Sequence, residues 1–266
     1  MKKFFLAVFF FTFFLHQNIF AQQIHFGTDK TISRAEVAKM LSFIYFDKDE
    51  IIELYKNRNI NFTDSDASKW YDKYVNAVYN KKLMSGIENR FEPEKPLSLL
   101  QAQYILDRIN SGDKTKIKIT DENKNKNISY SLWTKLFFSA IQNLNCGIEQ
   151  KKIIVLAAPS QSKTLPPNYI ITSENYFSCD GIDFDFFDKS IEVLAKAHEI
   201  IALISFDNEF ELKNCSLLKI HGNKAYVKCP HVKRFFDLQK KISPGVFDLK
   251  IRSGEIIGAD QKNDIT

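Results

Sequence analysis

The 266-residue sequence has only four cysteines, Cys146, Cys179, Cys215 and Cys229, and no pair has CxxC spacing. That leaves little support for zinc or thioredoxin-like chemistry. No G-x-S-x-G, phosphate-binding loop or dinucleotide fingerprint occurs either. Glycine (9) and proline (7) are too few for a collagen-like chain. Past residue 21 no apolar run approaches 18 residues, which argues against a helical membrane span there. A strong charge of one sign is also missing. Lys+Arg 37 against Asp+Glu 32 gives +5, with lysines interleaved among acids and no basic stripe carrying aromatics, so no nucleic-acid partner is expected.

What is present is an ordinary globular composition, 44% hydrophobic and 26% charged, with chain enough for one large domain or two ordinary ones. Phenylalanine is abundant at 24, and eight of these fall within the first twenty residues. Lys2 and Lys3 precede the apolar run Phe4 to Leu15, and Ile19-Phe20-Ala21 offers a small residue for cleavage. That order predicts a secretory signal peptide over residues 1–21. Twelve helical residues reach about 18 Å, short of the roughly 30 Å needed to cross a bilayer. No cysteine lies near the cleavage site to carry a lipid. Cleavage would remove two lysines and no acid, lowering the formal charge from +5 to +3, and would leave a secreted or surface-associated protein.

Export permits disulfides. Cys215 and Cys229 flank a predicted hairpin, Leu217–Ile220 and Lys224–Val227, turned at His221-Gly222-Asn223. A three-residue loop places the two cysteines opposite each other, as a candidate disulfide or as two unpaired strand residues.

Three segments align without gaps on a serine: Ile32-Ser33-Arg34, Leu97-Ser98-Leu99 and Ile128-Ser129-Tyr130, each followed by a helical pattern. Glu36 and Gln101 complete capping boxes with Ser33 and Ser98. Val37, Met40, Leu41 and Ile44 form an amphipathic stripe. Before the second copy, Ser68 is a candidate N-cap for a helix presenting Trp70, Tyr74, Val75 and Val78, and Gly86 is a candidate left-handed terminator.

Phe62, Asp64, Trp70, Tyr71, Tyr74, Val75, Ala77, Leu83, Gly86, Phe91, Pro93, Pro96, Leu97 and Ser98, with Ser33-Arg34-Ala35-Glu36 from a truncated preceding copy, resemble in order the S-layer homology (SLH) module of bacterial surface proteins. The resemblance covers residues 28–145. It implies helical repeats that bind secondary cell-wall polysaccharide, often acidic, in grooves between copies. On that basis Arg34, Glu36, Asp64, Trp70 and Gly86 are the candidate ligand-binding residues. A guanidinium can hold a carboxylate bidentately and an indole can pack on a sugar ring. The alternatives are a surface residue for Arg34 and a core residue for Trp70. Leu99 and Tyr130 replace the arginine in the other copies, so at most one acidic-sugar groove is expected. Residues 111–127 offer no first helix for the third copy, which marks the module as degenerate.

After Cys146-Gly147 the pattern turns to short β runs: Ile153–Leu156, Tyr169–Thr172, Ile191–Leu194, Ile200–Ile204, the cysteine hairpin, and Val246–Ile251 pairing with Glu255–Gly258. These predict a β-rich domain over residues 151–260, a sandwich or small barrel. Gly181-Ile182-Asp183, Ser190–Leu194 and Glu199–Leu203 also resemble the β-rich region joined to SLH repeats in proteins carrying a stage II sporulation protein D-like (amidase-enhancer) domain. That resemblance implies an accessory part of a peptidoglycan-remodelling protein without its catalytic domain. His198-Glu199 lacks a second histidine, Asp180–Asp185 lacks the spacing of a calcium loop, and His231 lacks an orienting partner. The expected fold is α+β by segregated domains: helical repeats, then an all-β domain. The expected function is non-enzymatic attachment to envelope polysaccharide, with no catalytic residue, metal or cofactor. The alternatives are the accessory fragment and an interaction protein that has lost glycan binding.

Overall fold

Ser33 and Ser98 each close a capping box. The Glu36 amide donates to Ser33 Oγ while Glu36 Oε2 accepts from the Ser33 amide at 2.8 Å. Gln101 and Ser98 exchange the same two bonds at 3.2 and 3.1 Å. They open α1 (Arg34–Tyr45) and α4 (Leu99–Ile109), and Ser129 caps α5 (Tyr130–Ile141) by accepting from the Leu132 amide. Two further helices, α2 (Lys48–Lys56) and α3 (Asp72–Asn80), lie between α1 and α4. The computed structural model describes residues 30–58, 62–109, 117–182, 185–230 and 232–262. The signal segment, Asp183 and His231 lie outside them.

The three aligned segments meet. Ile32 donates its amide to Ile128 O, Ile128 to Leu97 O and Leu97 to Ile32 O, at 3.2, 2.9 and 2.9 Å. Two residues on, a second cycle runs the other way: Arg34 to Lys95 O, Leu99 to Lys126 O and Tyr130 to Lys30 O. The result is a threefold hub of short antiparallel bridges from which three helices leave, so the module is not purely helical.

Two local expectations are corrected. Ser68 does not cap α3; its amide and hydroxyl bind Asp66 in the preceding turn, and the helix begins four residues later at Asp72. Nor does Gly86 end α3. The helix stops at Asn80 and the left-handed residue is Lys82, with φ 57°.

The β half contains two closed barrels rather than one. The first comprises β1 (Glu149–Ala157), β2 (Tyr169–Thr172), β3 (Tyr176–Ser178), β4 (Ser190–Lys196) and β5 (Glu199–Asp207) in the order β1-β2-β3-β5-β4, closed by β1 against β4. The second comprises β6 (Glu209–His221), β7 (Lys224–Cys229), β8 (Val232–Leu238), β9 (Gly245–Arg252) and β10 (Glu255–Gln261) in the order β10-β8-β7-β6-β9, closed by β10 against β9. Numbered from its own start, each barrel has strand order 1-2-3-5-4, with a parallel pair where strand 3 meets strand 5. This is the Greek-key arrangement of the OB-fold, used twice. A fold of this kind hosts many activities and fixes none of them.

The cysteine hairpin reaches its register by a different route from the one expected. His221 pairs with Lys224, so the turn is only Gly222-Asn223, and the register then shifts between Leu217 and Lys219. Leu218 is left at the bulge with half its surface in water. That extra residue brings Cys215 opposite Cys229, and the two are disulfide-bonded.

Helices and barrels are consecutive in sequence but not separate in packing. Leu194, Ile201 and Ala202 of the first barrel belong to the same buried cluster as Val37, Leu41, Tyr74 and Trp133. Each barrel also has its own core, and Leu156 of β1 joins that of the second. Arg234 of β8 reaches back to pair with Asp188 at 2.5 Å and to donate to Leu156 O, tying the barrels together.

Candidate functional site

The loop from Ser85 to Glu92 is held from three sides. Arg34 donates from Nε to Phe91 O at 2.9 Å and from a terminal nitrogen to Ser85 O at 2.8 Å, with its guanidinium 4.7 Å from the Phe91 ring centroid. Asp64 accepts from the Phe91 and Glu92 amides at 2.9 and 2.7 Å. Gly86 packs so closely that a Cβ there would sit 2.4 Å from Arg90 O and 2.5 Å from the Phe62 ring. Glycine is therefore required for close approach, not for a left-handed turn.

Arg34 is 7% exposed. Burial lowers its pKa from the ordinary value, opposed by the nearby charges of Glu92 and Asp64. Its fixed fork is committed to main-chain acceptors of the next copy, which gives the loop a defined shape and a cationic base. Glu36 turns back onto its own cap and pairs with Lys30 at 2.9 Å. Of the five candidate residues, Arg34, Asp64 and Gly86 thus converge on one loop, while Glu36 serves the start of α1.

Residues 61–102 match the family model of the S-layer homology domain. The chain carries an S-layer homology domain. No curated protein matches the chain. SLH domains are non-catalytic modules that anchor proteins at the cell surface, typically to cell-wall polysaccharide. The loop held by Arg34, Asp64 and Gly86 lies inside the matched SLH segment, and Arg34 reaches it from the copy before.

Trp70, the fifth candidate, is elsewhere. Its half-buried ring lies against Tyr71 and Tyr74 and over Gly181 of the first barrel, where an added Cβ would come within 2.4–2.5 Å of three ring atoms. Gly181 has φ +71°, so its missing side chain serves both the backbone and the indole. This places Trp70 at the junction between the SLH helices and the barrel.

The same junction holds a charge cluster that sequence reading missed. Lys39 of α1 is 2% exposed and donates from Nζ to Asp180 O and Ile200 O at 2.5 and 2.6 Å. Asp180 accepts from Lys73 at 2.6 Å, from Asn168, and from the Tyr74 hydroxyl at 3.1 Å. Lys48 pairs with Glu199 at 2.5 Å, and Lys196 reaches from β4 to Asp47 at 2.8 Å. Burial pushes Lys39 down to about 8 against the pull of Asp180 and Glu199. Burial also pushes Asp180 up, but hydrogen bonds from Lys73 and Asn168 and the two lysine charges outweigh it and leave the carboxyl at about 2. Asp180 and Glu199, considered in the sequence for other chemistry, are here the barrel's grip on the helices. In the structure α1 is buried almost all round: from Arg34 to Ile44 only Glu36 is left partly exposed, and the sequence carries no separate signal of this.

Among the described residues no three His, Cys, Asp or Glu gather as a metal site. No described helix is long and apolar enough to cross a membrane.

Proposed function

We propose that the protein is exported and attaches non-covalently to a cell-wall or envelope polysaccharide through its SLH module. The observation that carries this reading is the clamped 85–92 loop within the matched segment. A buried guanidinium and a carboxylate rigidify the main chain there, and a rigid, prearranged loop loses little entropy on binding a sugar. Arg34 contributes the cationic base that suits an acidic glycan, with Glu36 supporting the start of its helix. Asp64 and Gly86 set the loop. Trp70 holds the module against the barrel and so fixes the orientation of the glycan face.

The test is co-sedimentation of the protein with purified cell-wall polymer. Wild type is expected to sediment with the polymer. Arg34→Lys keeps the charge but loses the fork, and is expected to weaken binding while circular dichroism shows the fold retained. Failure of the folded wild type to bind, or binding indifferent to Arg34→Lys, overturns the proposal. Release of muropeptides from peptidoglycan would overturn the non-enzymatic part of it.

A further inference from the structure

The outer face of the second barrel carries a different arrangement. Strand alternation turns Ala225, Val227 and Cys229 of β7 into the core and leaves Lys224, Tyr226 and Lys228 outside. On β8, Phe236 is buried, and Lys233 and Phe235 face outward. The register sets Tyr226 opposite Phe235 and Lys228 opposite Lys233. On the other side of Tyr226 stands Lys219 of β6.

Three features of this face are unfavourable for a surface that meets only water. Phe235 is 50% exposed although it sits mid-strand, its ring 4.9 Å from that of Tyr226. Lys228 and Lys233 are like charges directly opposite each other, a destabilising cross-strand pair. Among the described residues none of Lys219, Lys228 and Lys233 has an ion-pair partner, whereas Asp237 on the same face lies 3.9 Å from Lys224. The aromatic pair is therefore framed by three uncompensated cations. In the first barrel the equivalent face is partly used internally: Tyr169 of β2 receives Lys48 of α2, with the ammonium 5.2 Å from the ring centroid.

We propose that the Tyr226–Phe235 face is a second binding site, taking an anionic glycan. The C–H face of a sugar ring packs on the exposed aromatics, and its carboxylate or phosphate substituents pair with Lys228, Lys233 and Lys219. Charge complementarity selects an acidic polymer, because the like-charged pair is relieved only by an anion between its members. The choice of a glycan over single-stranded nucleic acid, which also stacks on aromatics beside cations, rests on the envelope attachment proposed above. The face itself does not depend on that reading. With the SLH loop it would make the chain bivalent toward one polymer, raising avidity without new contacts.

The experiment titrates the full protein by calorimetry with oligogalacturonate, with neutral dextran and with oligothymidylate, at low and high salt. Oligogalacturonate is expected to bind, more weakly at high salt, and dextran is not. The surface variants Lys228→Gln with Lys233→Gln, and Phe235→Ser, should each weaken binding about tenfold while circular dichroism shows the fold retained. The double lysine variant should melt no lower than wild type, and Phe235→Ser, which loses the ring pair, slightly lower. Arg34→Lys should leave the tenfold difference in place, so failure of this site and failure of the SLH site are separable. The proposal is overturned if folded wild type ignores oligogalacturonate, if both surface variants bind as wild type does, or if dextran or oligothymidylate binds as tightly.

Discussion

Replacing Gly181 with alanine tests the junction between the SLH helices and the first barrel. Two penalties add. The backbone sits at φ +71°, where an L side chain is disfavoured by about 1–2 kcal/mol. The new methyl would also lie 2.4–2.5 Å from three atoms of the Trp70 ring, far inside contact distance. The indole is bracketed by Tyr71 and Tyr74, with centroids 5.6 and 6.1 Å away, so it cannot simply step aside. Overpacking of this kind costs about 1–3 kcal/mol, for a total of about 2–5 kcal/mol. Gly222 is the internal reference: its φ is +60° with nothing within 4 Å, so Gly222→Ala should show the backbone cost alone. Urea titrations followed by circular dichroism and tryptophan emission give both numbers. Trp70 emission should shift in Gly181→Ala and not in Gly222→Ala. In a Trp70→Ala background the Gly181→Ala cost should fall to that of Gly222→Ala. If Gly181→Ala is no more destabilising than Gly222→Ala, the packing of Trp70 on the barrel is wrong.

Two further outcomes follow from the same contacts. Asp180 has a folded pKa near 2 against an ordinary 3.8, so its contribution to stability is complete above about pH 4 and is lost as pH falls toward 2. Asp180→Asn should flatten that acid limb in urea titrations, and an unchanged limb would remove Asp180 from the junction. The Cys215–Cys229 bond closes a loop with a sequence separation of 14, so Cys215→Ser with Cys229→Ser should cost the second barrel about 3 kcal/mol. Calorimetry should place the loss there, with no change in tryptophan emission, since Trp70 and Trp133 both lie in the helical half.

Sequence signals spanning three or four residues were legible. Ser33 with Glu36 and Ser98 with Gln101 announce their helices because the cap is a local bond between neighbours. The longer strands were visible in their apolar runs. The three-residue β3 and β8, which follows Pro230, were not, being too short or too aromatic on both faces for a clean alternation. The two-barrel architecture was also hidden, because its decisive pairings, β3 with β5 and β8 with β10, join strands distant in sequence. Among the candidate residues, the structure gathers Arg34, Asp64 and Gly86 at the 85–92 loop and sets Trp70 apart from them, against Gly181. A tryptophan reads alike whether its neighbour is a sugar or Gly181. Lys39 was invisible because a lysine on a helix reads as solvent-facing until both sides of the helix are known to be covered.

The hub from which the three helices leave has a consequence for how the copies can diverge. Its six bonds are all main chain to main chain, so the frame is indifferent to which side chain follows each serine. The three equivalent positions have accordingly gone to three different employments. Arg34 braces the loop of the neighbouring copy, Leu99 packs against the helical core, and Tyr130 accepts the Leu203 amide of the first barrel on its hydroxyl. A tripod of this kind can specialise one leg at a time: one grips a neighbouring loop, one serves as ballast, and one is bolted to the adjoining barrel.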